Sequence, residues 1–282
     1  MKIGIIGLGL IGGSIAKAIK TKTNHQVFGF DQSEKVCASA KLLEAVDGFL
    51  PEGNPADCDM VFIGLYPKAT VSYLKQYGNQ IKKGALVLDL AGVKQEICQV
   101  AEEIAKENEF VFCGAHPMAG TERSGFTYSR ADMFDGASMV LTPFTGTDIA
   151  VMNDLSLFLK ELGFARMQVA TPPEHDKMIA YTSQLAHVVS SAYIKSELSS
   201  KFKGFSGGSF NDMTRVAKLN ENMWTELFLE NSEFLADETD DLIERLQGYS
   251  KAIRNHDAET LRELLKEGKE RRIAVDDVKD FD

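Results

Sequence analysis

A histidine near the middle of the chain is the first residue whose type and position suggest acid–base chemistry. His116 opens the segment His-Pro-Met-Ala-Gly-Thr-Glu, and it follows the apolar run Phe110–Cys113. That run predicts a buried strand, and ligands of open α/β sheets bind beyond the carboxyl ends of the strands. An imidazole at such a place can accept a proton near neutral pH. A histidine at a strand end is more often structural, so position alone leaves both roles open.

A glycine-rich segment at the start of the chain predicts a dinucleotide site. Gly7, Gly9 and Gly12 form G-x-G-x-x-G between an apolar run and a helical pattern, and Asp31 ends the next apolar run 19 residues beyond Gly12. The glycines allow a tight turn, a close approach of the backbone to a pyrophosphate and close helix–strand packing, and the acid binds the adenine ribose. An acid at this position repels a 2′-phosphate, which favours NAD over NADP. A plain glycine-rich turn is the alternative. The predicted cofactor contacts are Gly7, Leu8, Gly9, Leu10, Ile11, Gly12 and Asp31, with Leu65 and Gly92 at two later strand ends.

The second half of the chain carries three further candidates for contact with a substrate. His175 opens a long helical pattern, and His187 follows twelve residues later on roughly the same face. For His175 an exposed side chain or a helix-start contact is favoured, whereas His187 fits a core position equally well. Arg215 follows Asp212 by three positions, so it either pairs with that acid or binds an anion. The spacing of the histidines gives no metal site.

The elements that position these residues divide the chain into two parts. Strand and helix patterns alternate up to Val169, which predicts a doubly wound, mostly parallel Rossmann-type sheet. After Thr171-Pro172-Pro173 only helical patterns follow, including an unbroken one over 174–198 and others over 210–219, 223–247, 249–255 and 258–276. We therefore predict a dinucleotide-binding domain over 1–170 and a helical domain over 171–282 that binds substrate and forms a dimer.

Composition limits the possible partners and compartments. The chain has 282 residues and a net charge of -10, which argues against nucleic acid and against anionic membrane surfaces as partners. No apolar run approaches the length of a membrane span. The four cysteines are scattered and form no C-x-x-C pair, which predicts a reducing cytoplasm and no zinc framework.

Five motifs together resemble the prephenate and arogenate dehydrogenase family of tyrosine biosynthesis. They are Gly7–Ser14, Asp89–Lys94, His116–Glu122 with Ser124-Gly125, His175-Asp176 with Gln184–His187, and Asp212–Ala217. The resemblance covers essentially the whole chain. It implies a cytoplasmic homodimer that oxidises the dicarboxylate prephenate with NAD and releases carbon dioxide, giving 4-hydroxyphenylpyruvate.

The resemblance also implies a role for individual residues. His116 matches the histidine that accepts a hydrogen bond from the ring hydroxyl, and Arg215 matches the arginine that binds a substrate carboxylate. Other residues match positions that line the pocket or lie near it at the dimer interface: His187, Thr121, Glu122, Asp212, Gly207, Gly208 and Trp224. One position departs from the family, because Gly92 stands where a serine often bridges the histidine and the nicotinamide. We expect a water molecule or Thr121 to take the place of that serine.

Three alternatives remain on the sequence. Arogenate differs from prephenate by an amino group in place of a keto group, and the sequence does not decide between them. A β-hydroxyacid dehydrogenase of the 6-phosphogluconate type has a similar glycine loop and helical domain, but it relies on a lysine base in the helical domain. A binding module that only senses NAD would leave His116 and Arg215 without a role.

Overall fold

The computed structural model describes residues 1–121, 123–205 and 207–277. By their contacts these residues form two compact units, one over residues 1–232 and one from residue 233 onward. The domain boundary near residue 171, which the sequence suggests on the grounds of secondary structure, stays a prediction.

A single sheet organises the larger unit. Its strands are β1 (Lys2–Ile6), β2 (Gln26–Phe30), β3 (Gly48–Phe49), β4 (Met60–Ile63), β5 (Leu86–Asp89), β6 (Val111–Pro117), β7 (Ser138–Pro143) and β8 (Arg166–Val169). Their spatial order is β3-β2-β1-β4-β5-β6-β7-β8. Only β7 runs antiparallel to a neighbour, β6, and the remaining neighbours are parallel. The predicted mostly parallel, Rossmann-type sheet is confirmed.

Helices cover both faces of this sheet. They are α1 (Leu10–Lys22), α2 (Glu34–Leu42), α3 (Pro67–Tyr77), α4 (Gln95–Asn108) and α5 (Ile149–Glu161). Successive side chains of a strand point to opposite faces. In β4, Met60 and Phe62 accordingly belong to one buried apolar cluster, and Val61 and Ile63 belong to the other. Burial on both faces explains why these strands are continuous apolar runs in the sequence.

Two elements of this part were not predicted from the sequence. Ser33 begins α2 by accepting a hydrogen bond from the backbone N–H of Val36 at 3.4 Å, but Ala40 is the one buried residue of that helix. Its apolar periodicity is therefore too weak to reveal it. Strand β3 has only two residues, and a strand of that length has no pattern of alternation.

The helical part of the larger unit contains α6 (Pro172–Ile179), α7 (Leu185–Tyr193), α8 (Gly208–Thr214) and α9 (Glu221–Glu230). The single helix predicted over 174–198 is wrong in two respects: a π-helical segment, 180–184, separates α6 from α7, and α7 ends at Tyr193. The helix predicted over 210–219 begins earlier and changes to a 3-10 turn after Thr214. Within the described residues no strand follows Val169, as predicted.

The smaller unit is built from two long helices. They are α10 (Ser232–Arg254) and α11 (Ala258–Asp277), and the Tyr249 hydroxyl donates to the carbonyl of Leu264 at 3.0 Å. The break predicted after Gln247 is absent, because Gly248 lies inside α10, and the true break falls at Asn231. None of the described helices combines the length and the apolar character needed to cross a membrane.

Candidate active site

The carboxyl ends of four parallel strands meet at one edge of the sheet. The pairing places Ile6 beside Ile63, Ile63 beside Asp89, and Asp89 beside Gly114. The glycine loop follows β1, the Leu65 turn follows β4, the Gly92 turn follows β5, and His116 lies near the end of β6. The sequence prediction that these segments share one edge is therefore confirmed.

The glycine loop has the backbone geometry of a dinucleotide cradle. Gly7 has a φ of +86°, and a Cβ there would lie 2.6 Å from the carbonyl oxygen of Gly64. A Cβ on Gly12 would lie 2.0 Å from the carbonyl oxygen of Gly7, so only glycine allows α1 to pack this closely. By contrast, a Cβ on Gly9 would meet no atom within 4 Å. Gly9 is also the residue that precedes α1, so open space lies in front of a helix N-terminus that can bind phosphate.

Asp31 is fixed against this loop by two backbone hydrogen bonds. One carboxylate oxygen accepts from the N–H of Leu8 at 3.0 Å, and the other accepts from the N–H of Ser33 at 2.9 Å. The Leu8 side chain is fully buried in the core. Leu8 thus holds the acid in place, while Leu10 and Ile11 are only partly buried.

A buried hydrogen-bonded chain lies behind His116. The Nδ1 atom of His116 is 2.9 Å from Nε2 of His175, and Nδ1 of His175 is 2.7 Å from a carboxylate oxygen of Asp176. His175 is 2% exposed, so the exposed position favoured on the sequence is wrong. His175 is thus a partner of His116 that the sequence did not predict, while the suggestion that water or Thr121 replaces the family serine stays a prediction. The Thr121 hydroxyl makes a local turn with the backbone of Arg123.

The carboxylate at the end of this chain is anchored to the start of α4. Asp176 accepts hydrogen bonds from the backbone N–H groups of Lys94 at 2.8 Å and Gln95 at 2.9 Å. A carboxylate at a helix N-terminus satisfies N–H groups that lack helical partners and also interacts favourably with the helix dipole. Asn231 donates to the carbonyl oxygen of Asp176 at 2.8 Å. The position of Asp176, and with it that of the adjacent His175, is thus fixed by α4 on one side and by Asn231 on the other.

A buried ion pair lies next to the histidines. Lys94 and Asp89 are both fully buried, and the Lys94 ammonium donates to the Asp89 carboxylate. The ammonium also donates to the carbonyl oxygens of Ala91 at 2.8 Å and Val93 at 3.2 Å. Burial raises the pKa of Asp89, and the Lys94 charge opposes that rise. All three donor positions of the ammonium are occupied, so Lys94 stabilises the β5 turn and is not available as a proton acceptor.

The environment of His116 favours the neutral imidazole. Burial first, and then the neighbouring His175 and Lys94, hold the pKa of His116 well below its usual range. Burial also lowers the pKa of His175, although its contact with Asp176 opposes that change. At neutral pH both rings are therefore uncharged, and an unprotonated ring nitrogen of such a histidine can accept a hydrogen bond.

Helix α9 connects the His116 region with the residues around Arg215. A Cβ on Gly92 would lie 3.3 Å from a methyl carbon of Leu227 and 3.8 Å from Cε1 of His116. One turn earlier on α9, Trp224 contacts the ring of His187 with a centroid distance of 3.8 Å. His187 in turn donates from Nδ1 to the carbonyl oxygen of Val216 at 3.1 Å. Arg215 is the residue before Val216, so helix α9 and His187 form a series of contacts between the His116 region and the arginine.

The remaining predicted site residues lie in the same helical part or outside the described residues. Arg215 is exposed at the start of a 3-10 turn. It makes no ion pair with Asp212, so the pairing considered on the sequence is absent; α8 ends between the two residues. Gly208 is the first residue of α8, and a Cβ there would lie 3.9 Å from an Asp212 carboxylate oxygen. Glu122 lies outside the described residues. Among those that are described, no group of His, Cys, Asp and Glu could hold a metal ion.

Two contributors to the site, Asp89 and Lys94, were not singled out on the sequence. Both fall inside a quoted motif, but no pattern reveals that they form a buried ion pair beside the histidines. The position of Lys94 at the start of α4, opposite a carboxylate that is 82 residues away, depends on tertiary structure alone.

A dinucleotide cradle and a neutral histidine at the same sheet edge define an oxidoreductase that uses a nucleotide cofactor. Comparison with known proteins identifies the kind. Residues 15–169 match the family model described as prephenate dehydrogenase, nucleotide-binding domain, and residues 171–267 match the one described as prephenate dehydrogenase, dimerization domain. The chain belongs to the prephenate dehydrogenase family.

Individual relatives agree with this assignment. Prephenate dehydrogenase of Lactococcus lactis is 30% identical, over 98% of this chain and 77% of the relative. The A. aeolicus prephenate dehydrogenase solved with hydroxyphenyl propionate and NAD+ is 27% identical, with a TM-score of 0.84 over 98% of both chains. Synechocystis arogenate dehydrogenase is 26% identical, with a TM-score of 0.81 over 98% of this chain and 100% of that chain.

Proposed function

We propose that this enzyme catalyses the NAD-dependent oxidative decarboxylation of prephenate to 4-hydroxyphenylpyruvate in tyrosine biosynthesis. The observation that carries the proposal is the placement of His116: a neutral imidazole at the same sheet edge as the glycine loop, in a chain of the prephenate dehydrogenase family. The described residues of the loop, Gly7, Gly9, Gly12 and Asp31, fit an NAD pyrophosphate and adenine ribose.

The chemistry asks for a hydrogen-bond acceptor at the ring hydroxyl. When bound, NAD accepts the hydride from the ring carbon that bears this hydroxyl. As the hydride leaves, positive charge develops at that carbon and the hydroxyl proton becomes more acidic, so His116 stabilises the change by accepting its hydrogen bond. The ring carbon–carboxylate bond then breaks, and its electron pair restores the aromatic ring as carbon dioxide leaves. The phenol product keeps the hydroxyl proton.

The substrate carboxylates require a cation in an acidic protein. We assign this role to Arg215, whose planar guanidinium can donate two hydrogen bonds to one carboxylate. It is exposed, and among the residues that the structure describes it forms no ion pair with Asp212 or with any other acid. His187, Thr121, Glu122, Asp212 and Gly208 remain predicted lining residues of the same pocket.

Replacing Arg215 tests the carboxylate assignment. We expect Arg215→Ala to raise KM for prephenate about 10- to 150-fold, because a charge-assisted hydrogen bond contributes about 1.5–3 kcal/mol. The effect on kcat should be much smaller. Lys218→Ala is the matched control, since Lys218 is another exposed cation three residues further on and should leave KM unchanged. An unaltered KM in the arginine variant would remove Arg215 from the site.

Arogenate is the second candidate substrate, since a solved relative is an arogenate dehydrogenase. The direct experiment measures NADH and NADPH formation from prephenate and from arogenate, each supplied with NAD or NADP. We expect the highest kcat/KM for prephenate with NAD. If only arogenate is turned over, arogenate is the substrate instead of prephenate. If neither compound is turned over, the proposed function is wrong.

The assembly follows from the family match in the helical part. Residues 171–267 match a dimerization domain, and exposed apolar side chains there include Met178, Tyr181, Tyr193 and Leu198. We propose a homodimer formed through these helices. The four cysteines are free thiols, which supports the cytoplasm as the compartment.

A further inference from the structure

We propose that His175, supported by Asp176, is a positioning residue that fixes His116 in one tautomer, with the proton on Nδ1 and an unprotonated Nε2 for the substrate. This inference rests on the proposed function, in which a hydroxyl must donate to His116. The pair His175 and Asp176 would then control where the proton of His116 lies, in addition to packing against it.

The proton positions follow from the hydrogen bonds, beginning at the carboxylate. Asp176 already accepts two backbone N–H groups, from Lys94 and Gln95. A carboxylate has only acceptors to offer, so Nδ1 of His175, at 2.7 Å, must carry the proton of that contact. A neutral imidazole has a single N–H, and Nε2 of His175 is therefore an acceptor.

The unprotonated Nε2 of His175 in turn determines the state of His116. Its Nδ1 lies 2.9 Å from Nε2 of His175, so Nδ1 of His116 donates and holds the one proton of that neutral ring. Its Nε2 atom remains unprotonated, and no residue within the described ranges hydrogen-bonds to it. Burial keeps both rings neutral, as the lowered pKa values of His116 and His175 indicate. In the opposite tautomer Nε2 would carry the proton, and it could not accept a hydrogen bond from the substrate hydroxyl.

The glycine at position 92 makes the contact between His116 and His175 more important for the orientation of the His116 ring. A Cβ at this position would lie 3.8 Å from Cε1 of His116, an ordinary van der Waals contact, and 3.3 Å from a methyl carbon of Leu227. Glycine has no side chain to hydrogen-bond with the catalytic ring. The orientation of the ring therefore depends on the contact with His175, which is buried and held by α4 through Asp176.

Two substitutions separate positioning from packing. His175→Phe keeps a ring of similar shape but removes the acceptor. His175→Gln loses the ring but places an amide oxygen near the position of Nε2, where it can accept from His116. We expect His175→Phe to lower kcat about 10- to 100-fold, the range seen when a partner that orients a functional histidine is lost, with KM for prephenate little changed. His175→Gln should recover most of that loss.

Nuclear magnetic resonance gives a test that does not depend on turnover. In the wild-type protein labelled with [15N]histidine, His116 should show a protonated Nδ1 and an unprotonated Nε2 at neutral pH, with its signals assigned by comparison with His116→Asn. In His175→Phe both tautomers of His116 should be populated. The spectra need no substrate, so they remain informative even if prephenate is not the substrate.

The outcomes are distinct. A protonated Nε2 on His116 in the wild type would overturn the proposal, whatever the activity. So would a His175→Gln variant that loses as much kcat as His175→Phe, since packing would then explain both. If the tautomer is as expected and prephenate is not turned over, the proposed function fails and the positioning of His116 stands.

Discussion

His116→Asn is expected to lower kcat for prephenate by about 10²- to 10⁴-fold, the usual contribution of a well-placed acid–base group. The asparagine amide can fill part of the space of the ring, but its reach is shorter and its oxygen is a weaker base. The interaction grows as the hydride leaves, so the loss should fall on kcat and leave KM for prephenate nearly unchanged. Stopped-flow and steady-state measurement of NADH formation would give both constants.

The matched control for this variant is His256→Asn. His256 is exposed in the smaller unit and has a φ of +52°, a conformation that asparagine tolerates well. We expect it to keep wild-type kcat and KM. Near-normal turnover by His116→Asn would show that another group accepts the hydroxyl hydrogen bond, and the assignment of His116 would be lost.

Lys94→Met is expected to reduce the free energy of unfolding by about 3–5 kcal/mol, because it leaves the Asp89 carboxylate buried without its counterion. Both side chains are fully buried in the wild type. The loss should appear as a lower midpoint in urea denaturation. The double variant Asp89→Leu with Lys94→Met should recover much of the stability, since an apolar pair removes the uncompensated charge.

A surface pair provides the comparison. Lys82 pairs with Asp59 at 2.6 Å, with side chains 51% and 37% exposed. Solvent screens exposed ion pairs, and they contribute little to stability, so Lys82→Met should hardly move the midpoint. Equal midpoints for Lys94→Met and Lys82→Met would contradict the view that the buried pair holds the β5 turn together.

The sheet and its functional edge could be predicted because their causes are local in the sequence. Gly7, Gly12 and Asp31 have fixed spacing, and the apolar runs of β1, β4 and β5 are continuous since both faces of these strands are buried. Parallel pairing then brings their carboxyl ends to one edge. Helix α2 escaped prediction for the opposite reason, because only one of its residues is buried.

The chain of contacts behind His116 could not be predicted, because it depends on long-range packing. His175 and His116 are 59 residues apart, and the carboxylate of Asp176 meets the start of α4. Beside a proline-rich helix start, His175 has the pattern of an exposed residue, and no periodicity distinguishes the buried alternative. A π-helical segment, 180–184, separates α6 from α7. Such segments are frequent at functional sites and have no simple sequence signature.

The most direct test of the account is the pH dependence of kcat/KM for prephenate with saturating NAD. His116 must be neutral to accept the hydroxyl hydrogen bond. Its pKa is held well below 6.5 by burial, His175 and Lys94. The nearby carboxylates bind other groups, since Asp89 pairs with Lys94 and Asp176 accepts from the Gln95 N–H. We therefore predict that kcat/KM is constant from about pH 8 down to about pH 6.5 and falls only at more acidic pH, as His116 gains a proton. An acid limb centred at or above the usual histidine pKa of about 6.5 would contradict a neutral acceptor at residue 116.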